Sequence, residues 1–307
     1  MPGLQPYRSP DARDAEVRRL ADRGGGEVVA FGESVEGRPL LAVRLPGPHP
    51  DAPRVLCAGG IHGIELVGSH VAIELLSVVV AGRLPALRER AEVWVAPALN
   101  PDGYARTFER GGAGRMAELR PNARGVDLNR NFPLPLGATP SAIPGAGSGR
   151  PGALTYRGPV PFSEPETRAL DGLLGRAGFH AVASLHSSMG AFIPARVIDR
   201  ADFDAYRDLW RAFSSAQRVR YPPLHSRTLD VFTGELEDHA HHHHRAWAAC
   251  VEVWPVWRDV GARLRERSAF WRMNPRDPAP WAENDVPALA AYLGAALDRA
   301  RPGREPT

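Results

Sequence analysis

Short apolar runs separated by turn-forming residues mark out the elements this chain is expected to form. VVAFG (28–32) and LLAVRLP (40–46) read as strands parted by the turn-like Glu36-Gly37-Arg38-Pro39. RVLCAGG (54–60) is a third strand that runs straight into a helix beginning near Glu65. AEVWVAPAL (91–99) is a fourth, closed by a turn at Asn100-Pro101-Asp102-Gly103. FHAVASLH (179–186) and AWAACVEVW (246–254) have the nearly unbroken apolar character of buried strands. The longest apolar stretch, 66–84, carries His70 and Glu74 at helical periodicity, which suits a core helix and not a membrane span. Ser163-Glu164-Pro165-Glu166 opens a helix with a serine N-cap and an acidic first turn, and 285–299 is a final amphipathic helix. Between them, 134–155 is rich in Gly, Pro, Ala and Ser and reads as a long surface loop of the kind that often rims a site.

Strands alternating with helices predict an α/β fold: one domain with a mostly parallel or mixed twisted sheet and helices on both faces. The expected organisation is a polar lead-in with one short helix over 1–24, the domain over 25–300, and a tail over 301–307. A chain of 307 residues, 43% of them hydrophobic, can bury a core without a disulfide or metal staple.

Composition narrows the chemistry. Lys and Arg together number 38 and no lysine occurs, so all are arginine. That excludes a Schiff-base lysine, a pyridoxal phosphate enzyme, a P-loop NTPase and a protein kinase. The net charge of +3 implies no nucleic-acid partner. Cys57 and Cys250 lie in separate apolar runs and are expected as buried free thiols, compatible with a reducing compartment. The first twenty residues lack an apolar h-region, so no secretory signal is read and a cytoplasmic location is expected.

Three groups of residues at or near expected strand ends carry candidate chemistry, where the crevice of an open α/β sheet lies. In Gly60-Ile61-His62-Gly63-Ile64-Glu65, a histidine and a glutamate three apart can aim at one point, as zinc bound by two His and one Glu requires. By itself the pattern also describes an ordinary helix start. In 125–132, Asn129 and Arg130 can grip a carboxylate with a bidentate fork and an extra donor, or form a structural ion pair in a turn. His186, at a strand end, is by itself as readily a structural histidine as a ligand.

Taken together and in order, these segments resemble the zinc carboxypeptidase family. The resemblance runs from about Gly32 to Val253 and includes N-P-D-G (100–103), D-L-N-R-N-F (127–132) and Y-x-G-x-x-x-x-S-E-P-E (156–166). It implies a carboxypeptidase-like fold with one Zn2+ per chain on His62, Glu65 and His186, and Asp127 orienting the first of these. It further implies Asn129 and Arg130 as the clamp for a substrate carboxylate, Arg120 (or Arg124) as the oxyanion arginine, and Glu252 as general base. The partner implied is a peptide or acyl-amino-acid with a free carboxylate, with no nucleic acid or membrane involved.

Departures bear on specificity. The family's peptidases usually carry a tyrosine about 20 residues before the catalytic glutamate, yet none occurs between Tyr221 and Glu252. His225 is the substitute in that stretch, or the contact is absent. Glu237 and Asp238 fall in the segment that lines the family's pocket for the terminal side chain, and would favour a basic group there: Arg, Lys or diaminopimelate. They equally suit the acidic start of a helix. His239 and His241 to His244 form a cluster read as solvated or helix-packing in preference to a second metal site. Leu119-Arg120-Pro121-Asn122 running into G-V-D-L-N-R-N-F-P resembles the murein peptide amidases, which cut γ-D-Glu–diaminopimelate. The functions weighed are therefore a metallocarboxypeptidase, such an amidase, or a zinc deacylase of N-acyl amino acids. A non-catalytic zinc- or carboxylate-binding module is disfavoured, because Glu252 and every ligand are present.

Overall fold

The strands sort their side chains by simple alternation, and that alternation sets the layers. In the computed structural model, which describes residues 3–303 except 136, 137, 141, 144, 198, 225–232 and 259, β3 (Arg54–Gly59) sends Val55 and Cys57 to one face and Leu56 and Ala58 to the other. Both faces are covered. On the first lie α1 (Pro10–Gly24), α2 (Leu66–Val80), α5 (Arg200–Ser215) and α7 (Ala279–Leu297); on the second lie α4 (Pro165–Ala177) and α6 (Leu236–His242). A further helix, α3 (Pro101–Glu109), follows β4 (Glu92–Ala96).

The described residues form one seven-stranded mixed sheet in the order β1-β2-β4-β3-β5-β7-β6, with β1 (Glu27–Glu33), β2 (Pro39–Leu45), β5 (Ala181–Ser187), β6 (Ala191–Pro194) and β7 (Trp247–Val253). The pairs β3/β4, β3/β5 and β5/β7 are parallel, and β1/β2, β2/β4 and β6/β7 are antiparallel. The strands carrying the sequence motifs, β3, β5 and β7, are therefore neighbours with their carboxyl ends together.

α2 is apolar almost all round because it is buried on both sides, against β3 and β5 beneath and α1 and α7 above. Each fully buried Leu, Ile or Val there contributes about 1.5–3 kcal/mol. Its close approach to the sheet depends on missing side chains. A Cβ on Gly59 would lie 2.8 Å from the carbonyl carbon of Gly68, and one on Gly68 would lie 2.6 Å from the carbonyl oxygen of Leu185.

Several expectations are corrected. The lead-in forms a fifteen-residue helix whose Val17 and Leu20 enter the core, and Leu4 and Tyr7 before it are buried as well. Asn100-Pro101-Asp102-Gly103 is no closing turn: Asn100 caps α3, its Oδ1 accepting from the Gly103 N–H at 2.9 Å. α4 is capped at Glu164 without a side-chain bond, because the Ser163 hydroxyl is engaged by Asn131 at 2.9 Å and donates to Glu164 at 2.8 Å. β6 and α5 were unanticipated. The thiols of Cys57 and Cys250 are buried and free, as expected. Among the described residues no helix is long and apolar enough to cross a membrane.

α7 carries a buried carboxyl, Asp285, which accepts from Gln217 Nε2 (2.8 Å), Asn284 Nδ2 (2.8 Å) and the Tyr221 hydroxyl (2.9 Å). None of these is a cation, and burial pushes the carboxyl up to about 7. A carboxyl raised on folding contributes stability that is full below its unfolded-state value near 4 and is lost as pH rises through its folded value. The thermal midpoint is expected to fall between about pH 4 and 7, and Asp285→Asn to flatten that fall. A slope unchanged by the substitution would assign the dependence to other groups.

Candidate functional site

β3 ends at Gly59, and the chain turns through Gly60 (φ 65°) so that His62 and Glu65 stand over the carboxyl ends of the parallel strands. That loop lies against the start of α3, where a Cβ on Gly63 would meet the Gly103 backbone. His186 is the penultimate residue of β5. His62, Glu65 and His186 are all buried, and their donor atoms converge. His62 Nδ1 lies 3.0 Å from Glu65 Oε1, His186 Nδ1 lies 3.3 Å from Glu65 Oε2, and the two Nδ1 atoms are 3.2 Å apart.

These separations fit a metal. An ion with tetrahedral bonds of about 2.0–2.1 Å holds its donors roughly 3.3–3.4 Å apart. The far sides of both rings are committed, His62 Nε2 to Asp127 Oδ1 at 3.0 Å and His186 Nε2 to Ser184 Oγ at 3.0 Å. With the ring protons held there, two Nδ1 lone pairs and a carboxylate face one another, a crowding of acceptors that a cation relieves.

The surroundings are ordered around this point. Arg120 Nη1 donates to Glu65 Oε1 (3.1 Å) and its Nε donates to Asp127 Oδ2 (3.0 Å). The Ser187 N–H donates to Glu65 Oε2 at 3.1 Å. Burial opposes ionisation of both carboxylates. Even so, His62 and His186 hold Glu65 well below the usual range, and Arg120 and His62 do the same for Asp127. Arg124 stands apart, half exposed and 3.7 Å from Glu164. Of the two arginines considered from the sequence, Arg120 is the one the fold brings to the centre.

Glu252 sits on β7 directly opposite His186 in the ladder, so strand pairing alone sets it beside the metal donors. The Met189 N–H donates to its Oε2 at 3.3 Å. Burial, reinforced by the charge of Glu65, pushes its carboxyl up to about 7. Two residues earlier, on the same face, lies Cys250.

The 125–132 segment is not a strand end. It is a loop with one 3₁₀ turn, Leu128–Arg130, where Asp127 Oδ1 accepts from the Asn129 N–H at 3.1 Å. Asn129 Oδ1 accepts from the Leu236 N–H at 2.9 Å and so fixes the start of α6. Arg130 Nη1 donates to the Asn129 carbonyl (2.6 Å) and pairs with Glu235 (3.0 Å), while its buried Nε has no partner among the described residues. Glu237 and Asp238 are buried on the first turn of α6, Glu237 within electrostatic reach of Arg130 and Cys250. Burial, then the charge of Glu235, raises both carboxyls well above their ordinary values. Glu237 Oε2 and Asp238 Oδ2 have no partner among the described residues.

Sequence reading missed Ser184, Glu235 and the role of Asn131, whose side chain pins the 157–163 loop through Arg157 O, Val160 O and Ser163. The first was visible as a small polar residue two positions before His186; the others are long-range contacts without a local signature. His225 lies outside the described residues. Four histidines of the cluster are packed, and His243 is exposed. His241 meets the Tyr206 hydroxyl (2.9 Å), His242 the Arg196 carbonyl (2.6 Å), and His239 and His244 both meet Asp171. Burial drives His239 and His242 down to about 4.

Comparison with known proteins agrees with this geometry. Residues 24–257 match the family described as zinc carboxypeptidase. Rat carboxypeptidase D is 27% identical over 284 residues, covering 75% of this chain and 19% of its own length. Metallocarboxypeptidase A of Trichophyton tonsurans is 28% identical over a 326-residue alignment, covering 96% of this chain and 73% of its own. The fold of bovine thrombin-activatable fibrinolysis inhibitor, solved in complex with tick carboxypeptidase inhibitor, matches with a TM-score of 0.74 at 19% identity, over 96% of this chain and 99% of that one. The chain spans at most 19% of the length of the carboxypeptidase D relatives.

Proposed function

Because the chain belongs to the zinc carboxypeptidase family, we propose that it hydrolyses the amide bond before a C-terminal residue that carries a free carboxylate. The observation that carries this reading is the convergence of His62, Glu65 and His186 on one point, with Glu252 opposite His186 on the adjoining strand. Zinc is the family's ion. When bound, it supplies a Lewis acid that activates water and polarises a carbonyl.

The remaining steps belong to side chains. Glu252 takes the proton of the attacking water and delivers it to the leaving amine. Arg120 orients Glu65 and Asp127 through Nη1 and Nε, and its Nη2, outside those two bonds, is the donor for the developing oxyanion, an interaction worth about 3 kcal/mol. Arg130 binds the substrate carboxylate, assisted by the Asn129 amide nitrogen, since the amide oxygen is held by Leu236.

The terminal side chain proposed is basic. Glu237 and Asp238 each bury a carboxyl oxygen with no partner among the described residues, and a cationic side chain would satisfy such an oxygen. A substrate panel tests this: peptides ending in Arg, Lys or Phe, a γ-D-Glu–diaminopimelate tripeptide, and N-acyl amino acids. Peptides ending in Arg or Lys should be cleaved best. Glu237→Gln should lower kcat/KM for them by about 2 kcal/mol or more, roughly thirtyfold, and leave the Phe peptide nearly unchanged. Preference for Phe would refute the basic pocket. Selective cleavage of the diaminopimelate tripeptide or of N-acyl amino acids would reassign the enzyme to the murein amidase or deacylase reading.

A further inference from the structure

A second set of side chains converges as the metal donors do, between α4 and the C-terminal end of α6. Asp171 projects from α4, and both His239 and His244 aim Nε2 at its Oδ1, at 2.7 and 2.8 Å. The three donor atoms lie within 4.8 Å of one another. Consecutive histidines on a helix splay apart, so a run of five would not be expected to meet. His239 and His244 nonetheless meet, with ring centroids 5.0 Å apart, His244 lying two residues beyond the end of α6 at His242. Phe132 stacks on the His239 ring with centroids 5.4 Å apart, and Phe162 packs edge-on at 5.2 Å, which fixes the ring with Nε2 towards Asp171.

We propose that Asp171, His239 and His244 form a second metal site, for a divalent transition ion held by two imidazole nitrogens and one carboxylate oxygen. Zn2+, Co2+, Ni2+ and Cu2+ suit that donor set, whereas Mg2+ and Ca2+ demand oxygen ligands. Asp171 is one-third exposed and His244 one-eighth, so solvent reaches the group and can complete the coordination. Tetrahedral donors stand roughly 3.3–3.4 Å apart, so loading requires the imidazoles to back away from Asp171 by about half an ångström. Asp171, one-third exposed, can adjust its side chain towards solvent to accommodate this. The ion ties α4 to α6, the helix whose first turn carries Glu237, and acts as a clamp remote from the hydrolytic chemistry. The proposal does not depend on the hydrolytic reading.

The alternative is a hydrogen-bonded His–Asp–His network without an ion, and metal counting separates the two. Chelator-stripped protein is dialysed against low-micromolar Zn2+ and, separately, Co2+, and bound metal is measured by atomic emission. The unsubstituted chain should bind two equivalents. Asp171→Asn, His244→Ala and His62→Ala should each bind one, with Asp171→Asn retaining peptide hydrolysis. Zinc should raise the thermal midpoint of His62→Ala protein, whose remaining site is this one. An unsubstituted chain that saturates at one equivalent overturns the proposal without needing any variant to fold. A second equivalent that survives both Asp171→Asn and His244→Ala overturns it as well.

Discussion

Glu252→Gln is expected to bind as much zinc as the unsubstituted chain and to lose about 10²–10⁴-fold in kcat. Glutamine has the same shape and can still accept from the Met189 N–H, so the fold and the neighbouring ligands should be undisturbed. What it cannot do is take a proton from water. The residue is well suited to that task. Its carboxyl is buried, and the nearby charge of Glu65 adds to the effect of burial in pushing it up to about 7. A divalent cation on His62, Glu65 and His186 acts in the opposite sense and favours the ionised form. The acid limb of kcat/KM should therefore lie below 7 in the zinc-loaded enzyme, and the limb should vanish in Glu252→Gln. Full turnover by that variant would remove the general-base assignment.

His62→Ala should bind one zinc equivalent fewer than the unsubstituted chain and have no measurable hydrolysis. The substitution removes a donor that stands 3.0 Å from Glu65 and 3.2 Å from His186, which leaves too few protein ligands for a tight site. It also leaves Asp127 without its imidazole partner, although Arg120 still neutralises that carboxylate. The folded protein should therefore survive, and with both proteins stripped of zinc its thermal midpoint should lie close to that of the unsubstituted chain. Metal content unchanged by the substitution would refute the ligand assignment.

Much of this centre was legible in the sequence because its parts are local. H-x-x-E after a strand, a histidine at the end of another and a glutamate inside a third each sit where hydrophobic alternation ends or is interrupted. Strand pairing then does the assembly: His186 meets Glu252 because β5 and β7 run parallel in that register. Contacts across the fold left no such trace. Asp171 and His239 are 68 positions apart, and Glu235 reaches Arg130 only because α6 is anchored by Asn129. β6 is only four residues long, on an edge, and its Ala191 and Pro194 carry little strand preference. The Asn100 segment misled because Asn-Pro-Asp-Gly suits both a turn and a capped helix; the arbiter was the unbroken helix after it.

The pairing of Arg130 with Glu235 changes what gripping a substrate means. A carboxylate arriving at Arg130, as proposed, would find Nη1 already 3.0 Å from one of the protein's own carboxylates and the buried Nε still without a partner among the described residues, so it would join an existing ion pair and not meet a free guanidinium. The positive charge it met would already be partly balanced by Glu235, which would keep the grip modest and make it less sensitive to salt than a pair formed on a free guanidinium. After the proposed cleavage the same internal anion would compete with the freed carboxylate for the arginine and so help the product to leave.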